Sequence, residues 1–176
     1  MKFIVVTDIC QNPVPSDCVT AHLSDVTNIT RLHLNELCQR PDLKDESLHN
    51  HLFHQGGIEI AIAALHRHGH TNAVGLGYSA GGTALWRGVQ MGLELRALFC
   101  VSSTRLREYT RVTIPTHVYF GGADPHIPSQ NWIANTPARH TVFQGAAHNF
   151  YNSDNIKYRN IIASDVTDFQ IRCGTA

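Results

Sequence analysis

A serine hydroxyl is a weak nucleophile until a base takes its proton, so a serine in a constrained turn means little without that base. The segment Gly77-Tyr78-Ser79-Ala80-Gly81 sets a glycine two residues to either side of Ser79. This spacing lets a chain leave a strand, turn sharply and enter a helix with the serine at the apex, where larger neighbours would collide. Thirteen glycines and nine serines give only about 0.05 chance occurrences of the pattern. Two residues further along can complete the chemistry. Asp124 stands in Gly121-Gly122-Ala123-Asp124-Pro125, and His148 in Gly145-Ala146-Ala147-His148-Asn149. Read in that order they supply a nucleophile, a carboxylate and an imidazole base, the set needed to attack an acyl carbon. Alone, Asp124 reads as a turn cap and His148 as a surface-loop residue; the three positions together carry the reading.

Three such groups act only if the fold brings them to one edge. Apolar or β-branched runs predict strands at 3–7, 29–34, 73–78, 95–102, 116–121 and 139–143. Helices are predicted at 57–68, where Ile58, Ile62 and Leu65 share a stripe, at 80–90 and at 156–171, with a weaker one at 16–24. The polar stretch 35–49, which contains Pro41, reads as loop and short turns, and 105–111 is too short for a crossover helix. That shortness predicts a thinly covered flank on the sheet. Strand alternating with helix predicts an α/β fold with a mostly parallel six-stranded sheet, in which Ser79, Asp124 and His148 each follow the carboxyl end of a different strand. The helix from Ala80 directs its positive end toward charge developing beside Ser79.

The chain has 176 residues, 43% of them hydrophobic and 16% charged, which suits one folded domain over 1–176 with a sizeable core. Fourteen basic residues balance fourteen acidic ones, so no global field favours nucleic acid. No apolar run reaches the length of a membrane span, and the opening residues read as a strand, so no integral membrane contact and a cytoplasmic location are expected. Five cysteines without a CxxC pair suit reduced thiols.

The strand and loop Val5-Val6-Thr7-Asp8-Ile9-Cys10, the turn Gly77 to Gly82, and the segments around Asp124 and His148 together resemble the α/β-hydrolases, and among them the small dienelactone hydrolases. The likeness extends over essentially the whole chain. It implies a minimal α/β-hydrolase fold without a substantial lid, an oxyanion hole from the amides of Ile9 and Ala80, and cleavage of a small carboxylic ester or thioester without a cofactor. The chain departs from that family in having Ser79 where dienelactone hydrolases have cysteine, and Cys10 and Gln11 where relatives have a glycine. A serine peptidase or amidase would use the same three residues, but no long insertion is present to hold a polypeptide. A noncatalytic binding protein would keep the fold, and Gln11 beside the oxyanion loop weighs toward it.

The remaining candidates have plainer explanations. Asp8 either holds the oxyanion loop, contacts the site or forms a turn. Tyr78 reads as a pocket wall, Trp86 as helix packing and Cys100 as core. His49, His51 and His54, then His66, His68 and His70, form two clusters without an H-E-x-x-H pattern. No metal site is expected from them.

Overall fold

The computed structural model describes residues 1–24, 26, 28–69, 71–152 and 156–174; the side chains of residues 173 and 174 lie outside this description. Six strands, β1 (Lys2–Val6), β2 (Asn28–Leu32), β3 (Ala73–Tyr78), β4 (Leu95–Val101), β5 (Thr116–Gly121) and β6 (Arg139–Phe143), form one sheet in the order β2-β1-β3-β4-β5-β6. Every neighbouring pair is parallel. The strands therefore all end at the same edge, and the loops that follow β1, β3, β5 and β6 are brought together there. This is the minimal α/β-hydrolase fold.

The four inner strands are mostly apolar because both faces are covered, whereas the edge strands β2 and β6 are largely polar and partly exposed. On β1, Ile4 and Val6 face one core, while Phe3 and Val5 face the other. The first core packs against α1 (Leu34–Leu37), α2 (Asp45–His54), α3 (Gly57–Arg67), α4 (Ala80–Gln90) and α5 (Gln130–Asn135). The second packs against α6 (Ile156–Gly174) and the 3-10 turn Val19–His22, which follows another 3-10 turn, Pro15–Asp17, that has no buried residue. These turns occupy the place of the weak helix expected at 16–24. On α3 the stripe Ile58, Ile62 and Leu65 is fully buried, each side chain contributing about 1.5–3 kcal/mol of transfer free energy.

Two expectations need correction, for residues 35–49 and for the flank beside β4 and β5, and one short helix, α5, was not anticipated. Residues 45–54 form a helix, α2, with Leu48 and Leu52 one turn apart and both buried. His49, His51 and His54 lie on it. Residues 130–135 form α5, capped by the Ser129 hydroxyl, which accepts from the Trp132 amide. The flank beside β4 and β5 is well covered despite its short connection. Leu106 and Val112 are buried in the first core, and the indoles of Trp86 and Trp132 each donate, at 3.0 Å, to the carbonyls of Thr110 and Tyr109 respectively. Among the described residues no helix is long and apolar enough to cross a membrane, and no group of three or more His, Cys, Asp or Glu could hold a metal ion; His70 lies outside them.

Candidate active site

Ser79 sits between β3 and α4 with φ 48° and ψ −121°, a conformation that costs an L-residue of order 1–3 kcal/mol. The surrounding glycines make the turn possible. A Cβ on Gly77 would meet the backbone of Gly82, and one on Gly81 would meet the carbonyls of Val6 and Thr7 at the end of β1. The turn is therefore pressed against the neighbouring strand and anchored on its other side, where the Ser79 amide donates to the Val101 carbonyl at 2.9 Å.

The structure brings Ser79, His148 and Asp124 together. Ser79 Oγ lies 3.0 Å from His148 Nε2, and His148 Nδ1 lies 2.6 Å from Asp124 Oδ2. A carboxylate only accepts, so this contact puts the imidazole proton on Nδ1 and leaves Nε2 free to accept from the serine. The other Asp124 oxygen accepts the His126 amide at 2.8 Å, which fixes the carboxylate's rotation. Asp124 is buried, whereas the His148 side chain is 35% exposed and Ser79 8%, so a small molecule can reach the pair from solvent. The His148 loop is tied down because the Ser102 hydroxyl donates to the His148 carbonyl at 2.5 Å.

Ile9 lies in the loop after β1, and Ala80 is the first residue of α4, directly after Ser79. The Ile9 loop is wound around Asp8: its Oδ1 accepts the amides of Cys10 at 2.8 Å and Asn12 at 2.7 Å. Gln11 has φ 66° and so carries a left-handed turn, a conformation glycine adopts with less strain. The Ile9 carbonyl accepts the Asp45 amide at the start of α2, which fastens this loop to the helix beside it.

The sequence left Asp8 open between holding the oxyanion loop, contacting the site and forming a turn, and it gave no reading of Tyr151. The Tyr151 hydroxyl donates to Asp8 Oδ2 at 3.0 Å. The only signal for Asp8 was its place at the carboxyl end of a strand, and Tyr151 lies three residues beyond His148 with nothing in its spacing to mark it. Tyr78 is core and not a pocket wall. Its hydroxyl accepts the Val19 amide at 3.2 Å and its ring packs 5.3 Å from that of Tyr151. Trp86 and Cys100 are buried as expected, and burial pushes the Cys100 thiol up to about 12. Burial, helped by Asp45 and Asp8, raises the exposed Cys10 thiol to about 12 as well, so neither is a thiolate nucleophile at neutral pH.

Comparison with protein-family models gives no match, and neither does comparison with curated proteins. Solved structures do match. A CIB-like hydrolase from Thermoplasma acidophilum is similar with a TM-score of 0.66 at 12% identity, over 96% of this chain and 86% of that one. An α/β-hydrolase enzyme from the metagenome of sediments of the lagoon of Mar Chica, Morocco, gives 0.65 at 11% identity, over 97% and 92%. The RedJ thioesterase of the prodiginine pathway in Streptomyces coelicolor gives 0.63 at 14% identity, over 94% and 84%. At these identities the likeness is one of fold.

Proposed function

We propose that this protein is a serine hydrolase that cleaves a small carboxylic ester or thioester through an acyl-enzyme. The observation that carries the reading is the pair of contacts at His148, 3.0 Å to Ser79 Oγ on one nitrogen and 2.6 Å to Asp124 on the other. In this reading His148 takes the Ser79 proton as Oγ bonds to the acyl carbon, and the carbonyl electrons move onto oxygen. Asp124 holds the imidazole's tautomer and favours its charged form. The amides of Ile9 and Ala80 receive the oxyanion, with the positive end of α4 behind the second. Collapse breaks the bond to the leaving alcohol or thiol, which takes the proton from His148. Water, giving its proton to His148, then attacks the acyl-enzyme, and Ser79 recovers its proton as the acid departs. No step calls for a cofactor.

The short connection between β4 and β5, without room for a lid, supports a small substrate over a large lipid. Thioesterases among proteins of this fold support keeping thioesters in the substrate class. The resemblance to dienelactone hydrolases supports the same small-ester chemistry, with serine in place of their cysteine. The test is single-turnover reaction with a small activated ester, read by mass spectrometry as an acyl adduct. Parent protein should gain the adduct on the peptide bearing Ser79, and folded Ser79→Ala protein should gain none. An inert parent would establish the noncatalytic alternative, and faster cleavage of a matched peptide amide would establish the amidase.

A further inference from the structure

The segment carrying His148 continues into Tyr151, which the scheme above leaves without a role. Tyr151 is 3% exposed, and its hydroxyl reaches Asp8 from 143 residues away. Asp8 is 5% exposed, and its carboxylate is engaged at both oxygens: Oδ1 accepts the amides of Cys10 and Asn12, and Oδ2 accepts the Tyr151 hydroxyl. Ile9, the proposed oxyanion donor, lies between Asp8 and Cys10. Burial first, and Asp8 second, raise the Tyr151 phenol well above its ordinary range. The phenol thus remains protonated as donor to Asp8. Its ring is fixed independently, against Tyr78 at 5.3 Å and edge-on to Phe150 at 6.0 Å.

We infer that Tyr151 is a positioning residue whose hydroxyl, through Asp8, sets the oxyanion-hole loop at its working distance from Ser79. This rests on the reading of Ser79 as the nucleophile. Without the hydroxyl, Asp8 Oδ2 is left buried with no donor, and a carboxylate in that position shifts to find one, carrying the Cys10 and Asn12 amides and Ile9 with it. A donor displaced from the oxyanion weakens binding of the transition state and leaves binding of the neutral ester almost unchanged.

The experiment is single-turnover acylation across a range of ester concentrations, with inhibition by a boronic acid that forms a tetrahedral adduct on serine. Tyr151→Phe removes one oxygen and keeps the ring. It should lower the maximal acylation rate about 10- to 100-fold, below the full loss of an oxyanion donor, with the half-saturating ester concentration changed less than about twofold. Boronate affinity should fall in parallel with the rate. Asp8→Asn retains an oxygen for the two amides and removes the acceptor facing Tyr151. It should act in the same direction, and Asp8→Asn/Tyr151→Phe should be no slower than the slower single variant, since both cut one connection. If Tyr151→Phe does not fold, Asp8→Asn carries the same readouts. Folded Tyr151→Phe protein acylating at the parent maximal rate, or losing only ester affinity, overturns the positioning role and leaves the nucleophile reading intact. A parent protein that does not acylate overturns both.

Discussion

Replacing Asp124 by asparagine changes one atom, and the two contacts of its carboxylate set the consequence. In the parent, Oδ1 accepts the His126 amide at 2.8 Å and Oδ2 accepts His148 Nδ1–H at 2.6 Å. Asparagine can satisfy only one of these with its oxygen. If the oxygen stays on the His126 amide, the NH2 faces Nδ1 and drives the imidazole proton to Nε2, where it can no longer accept from Ser79. A wrong tautomer of this kind has cost about 10⁴-fold in an established triad, or about 5.4 kcal/mol. If the amide flips, the tautomer is preserved, but two N–H donors then oppose each other at His126. Leaving a buried donor unsatisfied costs about 1–3 kcal/mol, and the charge that favoured the imidazolium is lost in either orientation. The acylation rate of Asp124→Asn is therefore expected to fall between about 10² and 10⁴-fold. The assay is stopped-flow acylation by an activated ester, with circular dichroism and thermal melting to establish folding. A folded variant acylating within about threefold of the parent would refute the reasoning, because neither orientation permits so small an effect.

Ser79→Gly should lose acylation yet melt higher than the parent by roughly 2–4 °C, since about 1 kcal/mol of strain at φ 48° is relieved; a lower melting temperature would contradict the strain. Gly81→Ala places a Cβ against the Val6 and Thr7 carbonyls and should cost about 1–3 kcal/mol in urea unfolding while also slowing acylation, and unchanged values of both would refute the close packing. His117 provides a pH test away from the site. Its ring is held between Thr141 Oγ1 at 2.9 Å and the Tyr119 hydroxyl at 3.0 Å, and burial, outweighing the Asp165 carboxylate 3.6 Å away, lowers its pKa to about 4. Below its unfolded value near 6.5 the unfolded chain binds the proton that the native ring refuses, so His117 lowers stability progressively as pH falls from about 6.5 to 4, by up to about 3 kcal/mol. The stability difference between parent and His117→Gln, from urea unfolding at several pH values, should shift against the parent across that window, and a difference independent of pH would refute this.

The six strands lie within one or two residues of their expected positions, and for the inner four the reason is burial on both faces, which leaves runs such as Phe3 to Val6 almost without polar interruption. Ser79 was legible for a local reason: the turn demands glycine at fixed offsets, and the sequence records that demand. Helix α2 was not, because its buried face amounts to Leu48 and Leu52 amid histidines and acids, and Pro41 nearby argued for a loop. Helix α5 is six residues long, too short for periodicity to emerge. The Asp8–Tyr151 contact lies beyond any local pattern, since it joins residues 143 apart through the folded sheet. Gln11 shows the converse. A left-handed turn was present where no glycine announced it.

The distance along the chain between Ser79 and its base also bears on the protein's biosynthesis. His148 follows Ser79 by 69 residues and arrives on the loop after the last strand. At about 5–20 residues per second, a ribosome delivers it roughly 3–14 s after the serine turn. During that interval the hydroxyl has no imidazole to draw off its proton, and the oxyanion loop lacks its tie to Tyr151. On the proposed reading, the nascent protein cannot form an acyl-enzyme until β6 and the loop behind it have docked. In refolding, recovered acylation should report that final docking, lagging behind the collapse of the first three strands.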